Sequence, residues 1–212
     1  MRRIVFSVTL LLLVLPTGDN AQLIKGYGIK VALTSSTQTF EYSNPPWTGF
    51  GPSPKRRIGF NAGVYVEWLA LPIFSVLSEI EYVQKGFGEE FNITQNDPTV
   101  IATATEYRRI DYVSFPLLGK FILPLNSTNL YILAGPRADF LVAYDPNFSS
   151  IYKDFKKTMF GASFGIGLNL ETFMPFPLSL EFRYNSDFSD SFDNGNLRVR
   201  NNSYDFWLGV TL

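Results

Sequence analysis

Strict alternation of apolar with small or polar residues is the feature that most constrains how this sequence can fold. The clearest segment is 159–171, where Phe160 and Phe164 fall on one face and Gly161 and Gly165 fall on the other. Successive side chains of a β-strand point to opposite faces, so a period of two predicts a strand with one apolar face. Glycine weakens a strand, but it suits a face that points into a narrow, crowded interior.

The same alternation recurs along the chain in eight segments of about ten residues, separated by turn residues. One segment, near 109–121, is irregular, and Pro116 cannot donate a hydrogen bond to a neighbouring strand, so we expect a β-bulge there. The other seven have apolar faces that run over Tyr27–Leu33, Phe60–Trp68, Val76–Tyr82, Leu130–Phe140, Phe160–Leu170, Leu178–Tyr184 and Tyr204–Leu212.

The predicted connections alternate in length. Short turns are predicted at 70–73, 122–128 and 172–177, and long polar loops at 37–57, 88–107, 144–157 and 186–202. An even number of strands with all long loops at one end is typical of an outer-membrane barrel. No internal stretch reaches the roughly 18 apolar residues of a membrane-spanning helix. The predicted fold class is therefore all-β, an eight-stranded antiparallel up-and-down transmembrane β-barrel.

The N-terminus has the pattern of a secretory signal peptide. Arg2 and Arg3 precede the apolar stretch 4–15, which ends at Pro16. Cleavage after Ala21 would give a signal peptide over 1–21 and a barrel domain over 22–212.

Composition excludes several kinds of chemistry. The chain has no cysteine and no histidine, so it lacks thiol chemistry and the commonest general base and metal ligand. Its net charge of −1 gives no bulk attraction for nucleic acid. Gly165-Ile166-Gly167 lacks the third glycine of a dinucleotide loop and is not followed by a helical pattern. We therefore expect no cofactor, no metal and no catalytic residues.

Several short motifs resemble a known family in their order and spacing. They are Ala21-Gln22, the stretch Glu79–Gly86, Leu133-Ala134-Gly135-Pro136, the glycine-alternating strand Gly161–Gly167, and Leu180–Tyr184. Together they resemble the PorT-like outer-membrane β-barrels of Bacteroidota over nearly all of the mature chain. The resemblance implies an eight-stranded outer-membrane barrel, with an accessory role in protein secretion as one candidate function. The C-terminal alternation from Tyr204 to Leu212 matches a signal read by the barrel-assembly machinery, although such barrels often end in Phe or Trp.

Charged residues occupy many positions on the inward faces. An eight-stranded barrel is just wide enough to be filled by its own side chains, so these charges are expected to pair across the lumen and plug it. Carboxylate pairs could instead do acid/base work, but no nucleophile or metal ligand converges on them. The predicted polar cluster of the lumen is Glu67, Glu79, Glu81, Arg137, Asp139, Glu171, Glu181, Arg183 and Asp205.

Basic residues concentrate at or beyond the predicted outer strand ends, where Lys85 is also expected. Guanidinium groups bind phosphate through paired hydrogen bonds, so these residues are candidates for lipopolysaccharide contact, the alternative being a solvated loop base. The candidates are Arg56, Arg57, Arg108, Arg109, Arg198 and Arg200. Asp187, Asp190 and Asp193 are predicted to form an acidic loop, with a weak calcium contact left open.

These features favour a non-catalytic outer-membrane barrel with a plugged lumen. Its role would be surface binding, structural support or assistance in secretion. The expected partners are outer-membrane lipid and lipopolysaccharide, the barrel-assembly machinery and a secretion complex, with no nucleic acid. One alternative is a soluble periplasmic lipocalin-like carrier, which would reverse the facing and place the apolar residues inside. Another is a lipid-modifying or proteolytic barrel enzyme, which lacks the histidine that such enzymes commonly use.

Overall fold

The computed structural model describes residues 23–42, 54–94, 100–125, 128–146, 154–170 and 176–212. The predicted signal peptide and Glu171 lie outside these residues. Nine strands are present in the described part: β1 (Ile24–Tyr42), β2 (Lys55–Trp68), β3 (Phe74–Thr94), β4 (Val100–Leu125), β5 (Thr128–Tyr144), β6 (Thr158–Leu170), β7 (Leu178–Asp187), β8 (Phe192–Asp193) and β9 (Leu197–Thr211). The described residues include no helix long and apolar enough to cross a membrane.

Eight of the strands form one closed antiparallel ring. Each of β1 to β6 pairs with the next strand in chain order, β7 pairs with β9, and β9 pairs back with β1. This confirms the predicted all-β, eight-stranded antiparallel arrangement. The two-residue β8, which was not predicted, pairs with the start of β9 outside the ring. The β8–β9 turn contains Gly195 at φ 83°, a left-handed conformation that favours glycine.

The outside of the ring is apolar, and the inside holds the buried charged side chains together with two apolar clusters. Val31, Phe164 and Phe182 point outward and are 55%, 52% and 49% exposed. Lys30 and Arg183 point inward and are 4% and 1% exposed. This facing agrees with the alternation in the sequence and is the opposite of what a soluble carrier with an apolar lumen requires.

Three of the predicted loops contain strand residues. The predicted loop 37–57 begins inside β1 and ends inside β2, and the predicted loop 88–107 belongs mostly to β3 and β4. The predicted loop 186–202 begins inside β7 and ends inside β9. These segments are polar and break the alternation, yet main-chain pairing between strands needs no apolar face. The structure therefore corrects the bounds of all three loops.

The outer ends of β3 and β4 form a hairpin that extends past the neighbouring strands. In the described residues, β2 pairs with β3 no further than Lys55 with Gly88, whereas β3 and β4 stay paired as far as Thr94 with Val100. At roughly 3.3 Å per residue, the six residues beyond Gly88 extend about 20 Å. We call residues 89–94 and 100–107 the outer hairpin.

The irregular segment 109–121 contains a register shift, as predicted, but the shift does not lie at Pro116. Pro116 pairs with Arg137 of β5 in unbroken register, and the β4–β5 register shifts instead between Asp111 and Tyr112. On the β3 side, the positions facing Pro116 and Phe115 are unpaired, and pairing resumes without a shift. A proline lacks the amide hydrogen of a ladder bond, so the strand loses a bond here and no extra residue is inserted.

The outward position of Ile166, 48% exposed in the middle of β6, leads to a stability prediction. Ile166→Lys should lower the free energy of unfolding in lipid vesicles by about 2–4 kcal/mol, because it places a charge in the hydrocarbon region. Thr39→Lys, at the exposed outer end of β1, is the control and should cost less than about 1 kcal/mol. Urea titration measures both.

Cysteine labelling provides an independent check, because the chain contains no cysteine of its own. Ile166→Cys should resist a water-soluble thiol reagent in intact membranes, whereas Thr39→Cys should react. Equal labelling of the two variants would show that the outer face does not contact lipid.

Candidate functional site

The centre of the ring holds five interlocked charges, here called the central charge cluster. β1 contributes Lys30, β3 contributes Glu79 and Glu81, and β7 contributes Glu181 and Arg183, all with side chains that alternate inward. Lys30 Nζ lies 2.6 Å from Glu79 Oε2 and 2.8 Å from Glu81 Oε1. The five residues therefore join three strands, none of which is adjacent to another in the ring.

Arg183 is the link between the two sides of this cluster. Its Nη1 and Nη2 donate to the two carboxylate oxygens of Glu79 at 2.6 and 2.9 Å, a forked geometry that is strong for this ion pair. It also pairs with Glu181 and lies 3.3 Å from Glu81 Oε1. Trp207 is 1% exposed, and Lys30 Nζ lies 4.3 Å from the centre of its ring. Buried charges are stable only when partners of this kind replace water.

A second set, the outer charge cluster, lies nearer the long-loop end. Lys85 Nζ is 2.6 Å from Asp139 Oδ2 and 3.3 Å from Asp187 Oδ1. Arg137 Nε is 3.1 Å from Asp139 Oδ1, and the same guanidinium pairs with Asp187. Ser114 donates to Asp139 Oδ1 at 2.6 Å. Two cations and two carboxylates thus neutralise each other inside the ring.

Two sequence predictions are corrected by this outer charge cluster. Lys85 was expected on the outer rim but is 1% exposed and points inward, because β3 continues past it to Thr94. Asp187 was expected in an acidic loop but is the last residue of β7 and is 4% exposed. The outer charge cluster therefore draws two of its four charges from positions that were predicted to lie on the rim or in a loop.

Asp205 is a buried carboxylate held by neutral donors. Its Oδ1 accepts a hydrogen bond from Thr34 at 2.5 Å, and its Oδ2 accepts from Asn185 at 2.7 Å and from Asn61 at 3.2 Å. Within the described residues it forms no ion pair. Donors from three other strands therefore satisfy this carboxylate.

A third set, the inner charge cluster, lies at the short-turn end. Glu67 Oε1 is 2.8 Å from Lys25 Nζ and accepts from Ser75 Oγ at 2.6 Å, while Glu67 Oε2 is 3.1 Å from Lys120 Nζ. Lys120 also lies 4.2 Å from the centre of the Tyr131 ring. Two lysines here share one carboxylate.

Apolar side chains close the long-loop end of the interior. They come from β4, β6, β9 and the segment before β6, and we call them the outer apolar cap. Phe155 lies outside any strand, and its ring centre is 5.7 Å from that of Phe192. The buried members are Ile110, Tyr112, Phe155, Met159 and Val199. Sequence reasoning missed this cap because its members come from separate segments that have no shared pattern.

The structure places eight of the nine predicted lumen residues inside the ring, and Glu171 lies outside the described residues. It adds Lys30, Lys85, Lys120 and Asp187 as buried charges. The alternation of β1 already put Lys30 on the inward face. The inward position of Lys120 depended on the register of β4, which the sequence did not fix.

Most of the predicted rim arginines already contact carboxylates of this chain. Arg109 Nε lies 3.3 Å from Asp111 Oδ2, Arg198 Nε lies 3.6 Å from Asp193, and Arg200 Nε lies 2.6 Å from Asp190. Arg108 pairs with Glu89 of the outer hairpin. These four arginines stand on β4 and β9, on separate sides of the ring.

Arg56 differs from the other rim arginines. Its guanidinium crosses the outer face of β1, where it bonds to Ser35 and lies 3.3 Å from Asn202 Oδ1 of β9. It also lies 4.6 Å from the ring centre of Tyr204, which is exposed on the outer wall. Within the described residues, neither Arg56 nor Arg57 forms an ion pair.

Residues 20–193 match the family described as "Outer membrane protein beta-barrel domain". The chain belongs to this family. The protein is therefore an outer-membrane β-barrel protein, located in the outer membrane. No curated protein matches the chain in sequence.

Solved outer-membrane barrels show limited similarity to this outer-membrane barrel. Neisserial surface protein A is 10% identical, with 92% of this chain and 100% of that chain covered and a TM-score of 0.48. OprG from Pseudomonas aeruginosa is 10% identical, with 90% and 97% covered and a TM-score of 0.46. The outer membrane protease OmpT from Escherichia coli is 10% identical, with 92% and 98% covered and a TM-score of 0.38.

The central charge cluster of this outer-membrane barrel leads to a second stability prediction. Arg183→Met should destabilise the folded protein by about 3–5 kcal/mol, because Glu79, Glu81 and Glu181 would lose their shared guanidinium while buried. Arg198→Met is the matched control; its side chain is 49% exposed, and the change should stay within about 0.5 kcal/mol. Equilibrium unfolding in urea gives both values.

A compensating variant separates the loss of charge pairing from a packing defect. Arg183→Met combined with Glu79→Gln and Glu181→Gln removes one positive and two negative charges, so it should recover part of the lost stability. A triple variant that is less stable than Arg183→Met alone would contradict the ion-pair explanation.

Proposed function

We propose that this protein is a non-catalytic outer-membrane barrel with a closed interior, which acts through its surface in binding or structural support. The observation that carries this proposal is the filling of the interior by three charge clusters and the outer apolar cap. Porins that hold an aqueous channel need roughly 16 strands. In the eight-stranded ring, the charges of the central and outer charge clusters contact each other across the interior and fill the lumen between its two ends.

The state of the buried carboxylates supports a non-catalytic interior. Glu67, Glu79 and Asp139 each contact a cation, and Asp205 accepts hydrogen bonds from neutral donors. A general base must reach the proton it removes, whereas these carboxylates are held by the protein's own donors. The absence of histidine and cysteine in the sequence points the same way.

The proposal predicts that the pure protein does not form a conducting channel. In planar lipid bilayers it should show no stable, large conductance under conditions where a 16-stranded porin control conducts. The double variant Phe155→Ala with Met159→Ala, which opens the outer apolar cap, should also show no large conductance. The charge clusters beneath the cap would still fill the lumen. Stable large conductance from the wild-type protein would overturn the proposal.

The outer hairpin supports a role at the surface. It is the part of the described chain that extends furthest beyond the ring, and it carries Glu89, Glu90 and Glu106. Half of its residues are polar or acidic, in contrast to the apolar outer wall of the ring. A barrel that serves only as a membrane anchor does not need such an extension.

We further propose that the basic rim contacts lipopolysaccharide, with Arg56 as the main group. Its charge is not paired with a carboxylate among the described residues, and its guanidinium packs on Tyr204 at the outer wall. Aromatic residues of this kind mark the membrane interface, so Arg56 stands near the height of lipid phosphates. The other rim arginines except Arg57 are already paired within the chain.

The lipopolysaccharide proposal is tested by thermal unfolding in detergent at low salt. Added lipopolysaccharide should raise the Tm of the wild type in a concentration-dependent manner. Arg56→Gln should reduce the rise, whereas Lys55→Gln, which removes a charge paired with Glu90, should retain it. If added lipopolysaccharide does not raise the Tm of the wild type, the rim arginines contact only solvent at the base of the loops, and the proposal is wrong.

An accessory role in protein secretion is a second candidate. It is supported by the order of the motifs that resemble the PorT-like barrels, including Glu79–Gly86 and Leu180–Tyr184. The two candidates differ in what a strain lacking the gene would show. A secretion accessory predicts the loss of secreted proteins from the medium, and a surface-binding protein does not.

A further inference from the structure

A cavity of about 430 Å³ lies at the short-turn end of the ring. This volume falls within the roughly 300–1,000 Å³ that is usual for small-molecule sites. Its walls are built from the inner ends of most strands and from the β2–β3 turn, and its polar lining includes Lys25, Glu67 and Lys120. By the usual orientation of such barrels, with short turns on the periplasmic side, this inner cavity faces the periplasm.

Two ammonium groups of the inner cavity share one carboxylate. Glu67 pairs with both Lys25 and Lys120, at 2.8 and 3.1 Å. Glu181 also lines the cavity, so the four charges of the lining balance, but Glu181 bonds to Arg183 and Tyr131 and forms no ion pair with either lysine among the described residues.

Lys120 is the more deeply buried of the two lysines that share Glu67. Its side chain is 4% exposed, whereas that of Lys25 is 34% exposed. A buried cation that shares its counter-ion is less well compensated than a fully paired one. An anionic group in the cavity would give Lys120 a counter-ion of its own and accept its remaining ammonium hydrogens.

The rest of the lining is largely apolar. Tyr65, Leu77 and Ile122 belong to the buried apolar core of the inner half, and Leu71 and Pro72 close the cavity from the turn. Apolar walls with a few convergent polar groups are typical of ligand sites. The lining therefore suits a molecule with one anionic group and an apolar body.

The β2–β3 turn that borders the inner cavity is strained. Leu69 has φ 62°, a left-handed conformation that is costly for a residue with a branched side chain. Its amide donates to the carbonyl of Leu23 at 3.0 Å, which holds the turn in place. The three residues that follow, 70–72, all line the cavity. Strain of this kind is found where a segment is held in position for a ligand.

We propose that the inner cavity binds a small periplasmic amphiphile that has one carboxylate or phosphate headgroup and a short apolar chain. Lys120 binds the headgroup from the floor of the cavity, and Lys25 binds it from the rim. The apolar chain packs on Tyr65, Leu77 and Ile122. The outer apolar cap closes the far end of the lumen, so the ligand is bound and released on the same side.

Calorimetric titration of the purified protein in lipid nanodiscs tests this proposal, with empty nanodiscs subtracted. The probes are octanoate, octyl phosphate and uncharged octanol. Saturable binding of octanoate or of octyl phosphate is expected, and the stronger of the two identifies the headgroup. Octanol that binds as tightly as both anions would overturn the proposal, as would the absence of saturable binding by either anion.

Two charge variants distinguish headgroup binding from a change in cavity shape. Lys120→Met should weaken binding about tenfold, since it removes a charge-assisted hydrogen bond. Glu67→Gln should strengthen binding, because it frees both lysines while nearly preserving the volume of the side chain. Lys55→Gln, on the outer hairpin side of β2, is the control and should leave affinity unchanged. Weaker binding in both Lys120→Met and Glu67→Gln would show that only the shape of the cavity matters, and would contradict the proposed headgroup contact.

Discussion

Closure of the ring is the constraint on which the rest of this structure depends. The hydrocarbon core of a membrane offers no hydrogen-bond partners, so each strand must pair on both sides. The pairing of β9 with β1, from Thr211 with Gly28 to Leu197 with Tyr42, removes the last open edge of the ring. Closing as few as eight strands makes the interior narrow, which brings inward side chains from opposite walls into contact.

The central charge cluster helps to specify how the strands around this narrow interior are aligned. A shift of one residue in any strand would turn all its inward side chains outward. For β3 such a shift would place Glu79 and Glu81 against lipid, and for β7 it would do the same to Arg183. Charged groups on the lipid face are costly. The pairing of Lys30 and Arg183 with carboxylates of β3 is therefore compatible with one alignment of these strands.

The sequence predicted the facing of the strands well but their ends poorly. A period of two is a local property, so Phe164 and Arg183 could be assigned to opposite faces without knowledge of their neighbours. The end of a strand depends on pairing with another segment, which explains why Lys85 and Asp187 were read as rim or loop residues. The register of β4, and with it the inward position of Lys120, could not be derived from a segment that Pro116 makes irregular. The outer apolar cap depends on contacts among segments that are distant in the sequence, and no local pattern predicts such contacts.

The outer hairpin has a consequence for how neighbouring copies of the protein behave in a crowded membrane. In its register Glu89 stands opposite Glu106, and Glu90 stands opposite Thr105. Unpaired strand edges normally invite another chain to add to the sheet. Glu89 and Glu90 are paired with Arg108 and Lys55, so two hairpins approaching edge to edge would have to bury charged side chains of both signs before their main chains could bond. We therefore expect these charged side chains to keep adjacent barrels from joining into a continuous sheet above the bilayer.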